Sequence, residues 1–372
     1  MKLYIIAGEA SGDLHASDLI NELKYIQPAI EIRAWGGDLM KAEGAEIVKH
    51  YRDLAFMGFT EVIMNLKTIL KNIEYCKKDI LNFRPDAIIL VDYPGFNLRI
   101  AHFAKKNNYP VYYYISPQVW AWKSSRVFKI REVVKKMFVI LPFEREFYKK
   151  FNVDVEYVGH PLQDVIKRKK KLFSERSVFI KKHSLKNYPI IAILPGSRKQ
   201  EIETILPLMI SVNDSFPGYQ FIIAAAPSQP LSFYKNLIGN KNLSIIADET
   251  YELLSHSEAA LVTSGTATLE TALLNIPEVV CYKGGIISYF IAKMLVKIKF
   301  ISLVNLIMDK EVVKELIQNN LTTNSITEEL KKILDPKVRS KIMDDYTKLN
   351  EILSTGGAAA KTASLILNDL KG

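Results

Sequence analysis

Leu3-Tyr4-Ile5-Ile6-Ala7-Gly8-Glu9-Ala10-Ser11-Gly12-Asp13-Leu14-His15 opens with a short apolar run that ends in a glycine-bounded turn. Such a run is the pattern of a strand buried on both faces, and it is too short for the apolar region of a secretory leader. The layout recurs. Ala87-Ile88-Ile89-Leu90-Val91 runs into Asp92-Tyr93-Pro94-Gly95-Phe96-Asn97, and Ile190-Ile191-Ala192-Ile193-Leu194 runs into Pro195-Gly196-Ser197-Arg198. Helical periodicity fills the stretches between. Strand, small-residue turn and helix in repeated succession predict an α/β protein with parallel sheets and helices on both faces.

Working outward, the first series of strands is expected at Leu3–Ala7, Glu31–Trp35, Ala87–Asp92, Val111–Ser116, Met137–Leu141 and Glu156–Val158. After the basic run Lys167-Arg168-Lys169-Lys170-Lys171 a second series follows at Ile190–Leu194, Gln220–Ala225, Ser244–Ile246, Ala259–Val262 and Glu278–Cys281. Two Rossmann-like, doubly wound domains are predicted, 1–165 and 172–335, with their strand ends facing a shared cleft. Beyond Asp309 the pattern reads as helix only, and residues 336–372 are expected to pack back toward an N-terminal domain, their own or that of a second copy in a homodimer.

The length of 372 residues suits two domains at about 150 residues each. With 48% hydrophobic and 24% charged residues there is ample core material, which excludes a disordered chain. The net charge of +10 favours anionic ligands or surfaces without choosing among them. No nucleic-acid motif accompanies it, and the basic residues are spread along the chain. The two cysteines, Cys76 and Cys281, fit neither a disulfide framework nor a zinc ribbon and suit a reducing cytoplasm. Lys293, Lys297 and Lys299 interrupt the most apolar stretch, Gly284 to Met308, leaving no run of about 20 uncharged residues to span a bilayer. The six histidines lack metal-binding spacing, so no metal site is expected.

The strand-to-helix turns hold the candidate chemistry. In the first, Gly8 and Gly12 permit close approach of the backbone to a ligand, while Glu9, Ser11 and Asp13 supply polar groups. The turn lacks the G-x-G-x-x-G and P-loop spacings, and Ser11 or Asp13 equally reads as a helix N-cap. Asp92, at the carboxyl end of its strand, is suited to accept the proton of an attacking hydroxyl; Asp ahead of Pro-Gly is also ordinary turn chemistry. Gly196, Ser197 and Arg198 combine backbone N–H groups at a helix start with a guanidinium, a pattern that suits phosphate. Ser264, Gly265 and Thr266 form a second such turn, and Glu270 one turn on either reaches ribose hydroxyls or serves the helix dipole. The stretch holding Phe56, Met57, Phe59, Val62, Ile63, Leu66, Ile69 and Leu70 beside Lys67 and Lys71 reads as buried core or as a face entering a membrane interface.

These motifs carry a resemblance. Gly8-Glu9-Ala10-Ser11-Gly12-Asp13, Ser116-Pro117-Gln118-Val119-Trp120-Ala121-Trp122, Leu141-Pro142-Phe143-Glu144, Leu194-Pro195-Gly196-Ser197-Arg198 and Ser264-Gly265-Thr266-Ala267-Thr268-Leu269-Glu270, in this order, resemble the lipid-A-disaccharide synthases, inverting glycosyltransferases of the B-type two-domain fold. The resemblance runs nearly end to end. It departs at Gly95, where many members carry a second aspartate, at Val304, where Pro is common, and at His15, which is not general in the family.

The resemblance implies transfer from UDP-2,3-diacylglucosamine to 2,3-diacylglucosamine 1-phosphate, giving a β-1,6-linked disaccharide 1-phosphate and UDP. Asp92 aligns with the family's base, Arg198 and Glu270 fall in the UDP-side motifs, and Asn305 matches an asparagine near the donor. No cofactor or metal is implied. Acylated substrates imply peripheral attachment to the cytoplasmic face of the inner membrane through the Phe56–Leu70 stretch, aided by the net positive charge. A UDP-N-acetylglucosamine 2-epimerase is the alternative enzyme of the same architecture.

Overall fold

A computed structural model describes residues 1–53, 66–121, 125–284, 299–354 and 356–371. The chain forms two compact units, Met1–Pro161 with Thr355–Gly372, and Leu162–Ser354.

The first unit is built on a parallel sheet of β1 (Lys2–Ala7), β2 (Glu31–Gly36), β3 (Glu46–His50), β4 (Ala87–Val91), β5 (Val111–Tyr114), β6 (Lys136–Val139) and β7 (Glu156–Tyr157), in the order β3-β2-β1-β4-β5-β6-β7. Alternation of side chains across β1 divides the core in two. Leu3, Ile5 and Ala7 pack with Leu19, Ile20 and Leu23 of helix Ala10–Ile26 and with Ile366 and Leu367 of the last helix. Tyr4 and Ile6 face the opposite layer, with Trp35, Cys76, Ile80 and Ile100. Both faces of β1 are therefore covered, which is why its sequence is apolar without alternation.

The second unit repeats the plan with β8 (Ile190–Leu194), β9 (Gln220–Ala225), β10 (Ser244–Ala247), β11 (Ser257–Thr263), β12 (Glu278–Tyr282) and β13 (Lys314–Ile317), in the order β10-β9-β8-β11-β12-β13. In each sheet the winding reverses once, between β1 and β4 and between β8 and β11. A crevice opens outside the carboxyl ends of strands at such a reversal, because the crossover helices leave to opposite sides. The four turns singled out in the sequence leave from these four strands.

Several expectations need correction. β3 and β13 were not expected, and the reading of helix alone beyond Asp309 fails at β13. Both are edge strands in which charged or half-exposed residues interrupt the apolar pattern. The first unit ends at Pro161 rather than near 165. Helix Pro336–Leu353 belongs to the second unit, where Ile342, Tyr346, Leu349 and Leu353 enter the core; only the chain from 355 onward returns to the first. There, helix Ala358–Lys371 packs on helix Ala10–Ile26, and Asp369 accepts a hydrogen bond from Tyr112 Oη at 2.5 Å and pairs with Lys135 and Lys136 at 2.7 and 2.9 Å. Among the described residues no helix is long and apolar enough to cross a membrane.

Candidate active site

At the end of β4 the backbone turns through two consecutive left-handed residues, Asp92 (φ 43°) and Tyr93 (φ 49°). A non-glycine residue in this region costs about 1–3 kcal/mol, so the surroundings must hold it there. The Asp92 carbonyl accepts hydrogen bonds from Tyr113 Oη at 2.5 Å and Asn97 Nδ2 at 2.7 Å, and its N–H donates to the Tyr114 carbonyl at 3.2 Å. Asn97 Nδ2 also reaches the Val91 carbonyl at 3.2 Å. Helix Pro94–Lys106 begins directly after the turn. Burial of the Asp92 carboxyl, reinforced by the negative charge of Glu9 and opposed by a hydrogen bond from the Tyr93 N–H, pushes its pKa up to about 7.

The turn after β1 lies alongside, because Ala7 pairs with Val91. Gly8 is required by close approach: a Cβ on it would lie 2.3 Å from the Tyr93 ring. Glu9, half-buried, is the residue that precedes helix Ala10–Ile26, and Ser11 is exposed in the first turn. Gly12 packs against Ala7, whose Cβ would be 3.2 Å from an added methyl. Asp13, 3% exposed, caps a different helix from the one it sits in. Its Oδ1 accepts from the N–H groups of Gly37 (2.7 Å) and Met40 (3.2 Å), and its Oδ2 from that of Leu39 (3.2 Å), fastening the start of helix Asp38–Ala42. The expectation that Ser11 or Asp13 caps the first helix is thereby corrected, and Asp13 becomes a clasp between two turns.

Sequence reasoning assigned no role to the buried polar groups behind this turn. Tyr113 and Asn97 are fully buried, and their types alone carry no catalytic signal. Glu144, 1% exposed, accepts from the N–H groups of Ile140 (3.2 Å) and Leu141 (2.9 Å), and burial pushes its carboxyl up to about 7. Ser116 Oγ and Tyr148 Oη are hydrogen-bonded at 2.7 Å beside it. The buried imidazoles of His15 and His160 are held neutral, pushed down by burial to about 4 and about 3.

In the second unit, Leu194 of β8 pairs with Val262 of β11, so the two small-residue turns leave side by side. Gly196 has a left-handed φ of +103°, and a Cβ there would lie 2.2 Å from a Glu201 carboxylate oxygen. Arg198 is exposed and precedes helix Lys199–Ile210. The N–H groups of Ser197 and Arg198, expected to face phosphate, donate to the Glu201 carboxylate, whose pKa burial nevertheless raises. Ser264 Oγ donates to the Ile301 carbonyl at 3.1 Å, Gly265 opens onto free space, and Thr266 begins helix Thr266–Leu273 with no side-chain cap. Glu270 is half-buried, accepts from Tyr251 Oη at 2.8 Å and is pushed up by burial.

Asn305, expected near the donor, lies inside the second unit. It is fully buried, and its amide is saturated by protein: Nδ2 donates to the Val313 carbonyl (2.8 Å) and Glu315 Oε1 (2.9 Å), and Oδ1 accepts from the N–H groups of Val312 (2.7 Å) and Val313 (3.0 Å). Glu315 also accepts from the N–H groups of Ile301 (3.0 Å) and Ser302 (2.9 Å). Asn305 thus braces the segment that meets Ser264.

Of the expected membrane face, Phe56, Met57, Phe59, Val62 and Ile63 lie outside the described residues, and Leu66 begins helix Leu66–Phe83. Ile69 packs partly against the first unit's core, whereas Leu70 is 49% exposed.

The family model described as lipid-A-disaccharide synthetase matches residues 3–366. A lipid-A-disaccharide synthase of Syntrophus aciditrophicus is 39% identical over 99% of this chain and 97% of its own length, and lipid-A-disaccharide synthase 1 of Legionella pneumophila is 36% identical with the same coverage. The crystal structure of a UDP-GlcNAc 2-epimerase from Neisseria meningitidis bound to UDP-GlcNAc shares the fold with a TM-score of 0.69, at 14% identity over 100% of this chain and 99% of that one. That structure supports the glycosyltransferase B-type architecture and, at such identity, nothing about substrate. On the match along almost its whole length, the chain belongs to the lipid-A-disaccharide synthetase family.

Proposed function

We propose that this chain transfers the diacylglucosaminyl group of UDP-2,3-diacylglucosamine to the 6-hydroxyl of 2,3-diacylglucosamine 1-phosphate. The observation that carries the reading is the Asp92 carboxyl, mounted at the sheet reversal with a pKa raised to about 7. A base tuned near the working pH combines a useful ionised fraction with a strong drive to take a proton.

The acceptor oxygen forms a bond to the anomeric carbon as the bond from that carbon to the UDP oxygen breaks. The electron pair leaves on UDP, and the hydroxyl proton passes to Asp92. One displacement inverts the anomeric centre and gives the β-1,6 linkage. The second unit takes the donor: the diphosphate displaces the Glu201 carboxylate from the Ser197 and Arg198 N–H groups, with the Arg198 guanidinium and the helix start at Thr266 offsetting the departing charge. Glu270, which accepts from Tyr251 Oη in the free protein, exchanges it for a ribose hydroxyl when the donor binds. The acyl chains enter on the Leu66–Phe83 side, where exposed Leu70 and the net charge of +10 favour an anionic leaflet at the cytoplasmic face of the inner membrane.

Mass spectrometry of products from pure protein and UDP-2,3-diacylglucosamine, with and without the acceptor, tests the reading. A tetraacyl disaccharide 1-phosphate is expected only with acceptor. Folded, UDP-binding protein that makes none, or that instead epimerises UDP-N-acetylglucosamine, overturns it.

A further inference from the structure

Asp92 and Tyr93 form a left-handed pair without a glycine, at the point where the chain leaves β4. The torsions at Asp92 set the direction in which its side chain leaves the backbone, so relaxation toward an extended conformation would re-aim the carboxylate. Two side chains oppose that relaxation. Tyr113 Oη reaches the Asp92 carbonyl from the neighbouring strand β5 at 2.5 Å, and Asn97 Nδ2 reaches the same oxygen from the first turn of the following helix at 2.7 Å. A carbonyl oxygen has two lone pairs, and here both have a donor. Tyr113 is fully buried and its ring packs in the apolar core, where phenylalanine would fill the same space; its hydroxyl meets the Asp92 carbonyl and the Asn97 side chain.

We infer that Tyr113 and Asn97 are positioning residues for the reaction, together clamping the Asp92 carbonyl and through it the direction of the Asp92 carboxylate. The inference rests on the reading of Asp92 as the base. Neither residue is required to touch substrate, since both act through the main chain of a third. Misplacement of a reacting group by a fraction of an ångström to 1 Å is enough to slow turnover by up to about 100-fold.

The test is a kinetic cycle on the full-length protein. Tyr113→Phe is expected to lower kcat about 10- to 100-fold, with KM for both substrates and Kd for UDP within about twofold of the parent. It is also expected to move the acid limb of the kcat profile. Asn97→Ala serves as the second variant should Tyr113→Phe fold poorly, and the same signature is expected of it. In an Asp92→Asn background, Tyr113→Phe should have no further effect on the residual rate, because the group it aims is gone. An unchanged kcat in Tyr113→Phe, or an equal loss with and without the Asp92 carboxylate, overturns the inference while leaving the base in place. Near-normal turnover of Asp92→Asn removes the base reading and the inference together.

Discussion

Gly8 lies against the ring of Tyr93 so closely that a Cβ on it would come within 2.3 Å of Cδ1. The turn after β1 thus forms one wall of the turn that carries Asp92. Gly8→Ala forces the ring or the backbone to move, with a destabilisation of about 1–3 kcal/mol from overpacking. Turnover is expected to fall more than this loss of stability explains, while the midpoint of thermal unfolding stays above assay temperature. Unchanged kinetics in Gly8→Ala would mean that the wall does not aim the turn.

Asp92 predicts two pH dependences. The base must be ionised, so kcat/KM should fall as pH drops below about 7, with the acid limb absent from the residual activity of Asp92→Asn. That variant should lose orders of magnitude in turnover at unchanged UDP affinity. For stability the sign is opposite to that of a salt-bridged carboxylate. The folded pKa, about 7, lies above the ordinary 3.8, so the fold holds its proton more tightly than the unfolded chain. This contribution is present below pH 4 and is lost as pH rises toward 7. Asp92→Asn should therefore unfold at higher temperature than the parent at pH 8, by at least about 1 kcal/mol in stability, and show no such gain at pH 4. Equal unfolding midpoints at pH 8 would falsify the raised pKa.

Glu201 occupies the N–H groups of Ser197 and Arg198. If the donor diphosphate takes these groups in its place, Glu201→Gln removes a competing negative charge. UDP should then bind about fivefold more tightly by titration calorimetry, equivalent to ~1 kcal/mol for a partly exposed charge. Weaker binding would instead identify Glu201 as a support of the turn.

Asn305 predicts a structural phenotype. Its amide makes four hydrogen bonds in a fully buried setting, so Asn305→Ala leaves two N–H groups and a carbonyl without their partner. A loss of about 2–4 kcal/mol in denaturant unfolding is expected, with UDP affinity following the residual fold. A stable variant with a selective loss of UDP binding would instead make Asn305 a donor ligand.

Charge on the departing UDP is offset in the proposed mechanism by Arg198 and helix starts. Turnover should therefore survive exhaustive EDTA treatment, whereas Arg198→Ala should lower kcat/KM by about 100-fold or more. Abolition by EDTA and rescue by Mg²⁺ would require a metal in the donor site.

The parallel sheets, their buried strands and the turns at their carboxyl ends are legible in the sequence because these features are local. A strand covered on both faces must be apolar throughout, as Leu3 to Ala7 and Ile190 to Leu194 are. A turn that brings backbone close to a ring or a carboxylate needs Gly8 or Gly196. Position at a strand's carboxyl end marks Asp92 in the sequence as well. Edge strands β3 and β13 escape this reading because one half-exposed edge relaxes the demand for apolar residues.

Tertiary structure alone decided which partner each polar group meets. Asp13 faces Gly37 to Met40, Asn305 faces Val312 to Glu315, and Tyr113 faces Asp92, pairings set by strand order and helix packing rather than by neighbouring residue types. A carboxylate or amide carries the same donors and acceptors wherever it lies in the chain. Whether these bind a ligand, cap a helix or clamp a base depends on which groups the fold brings within about 3 Å.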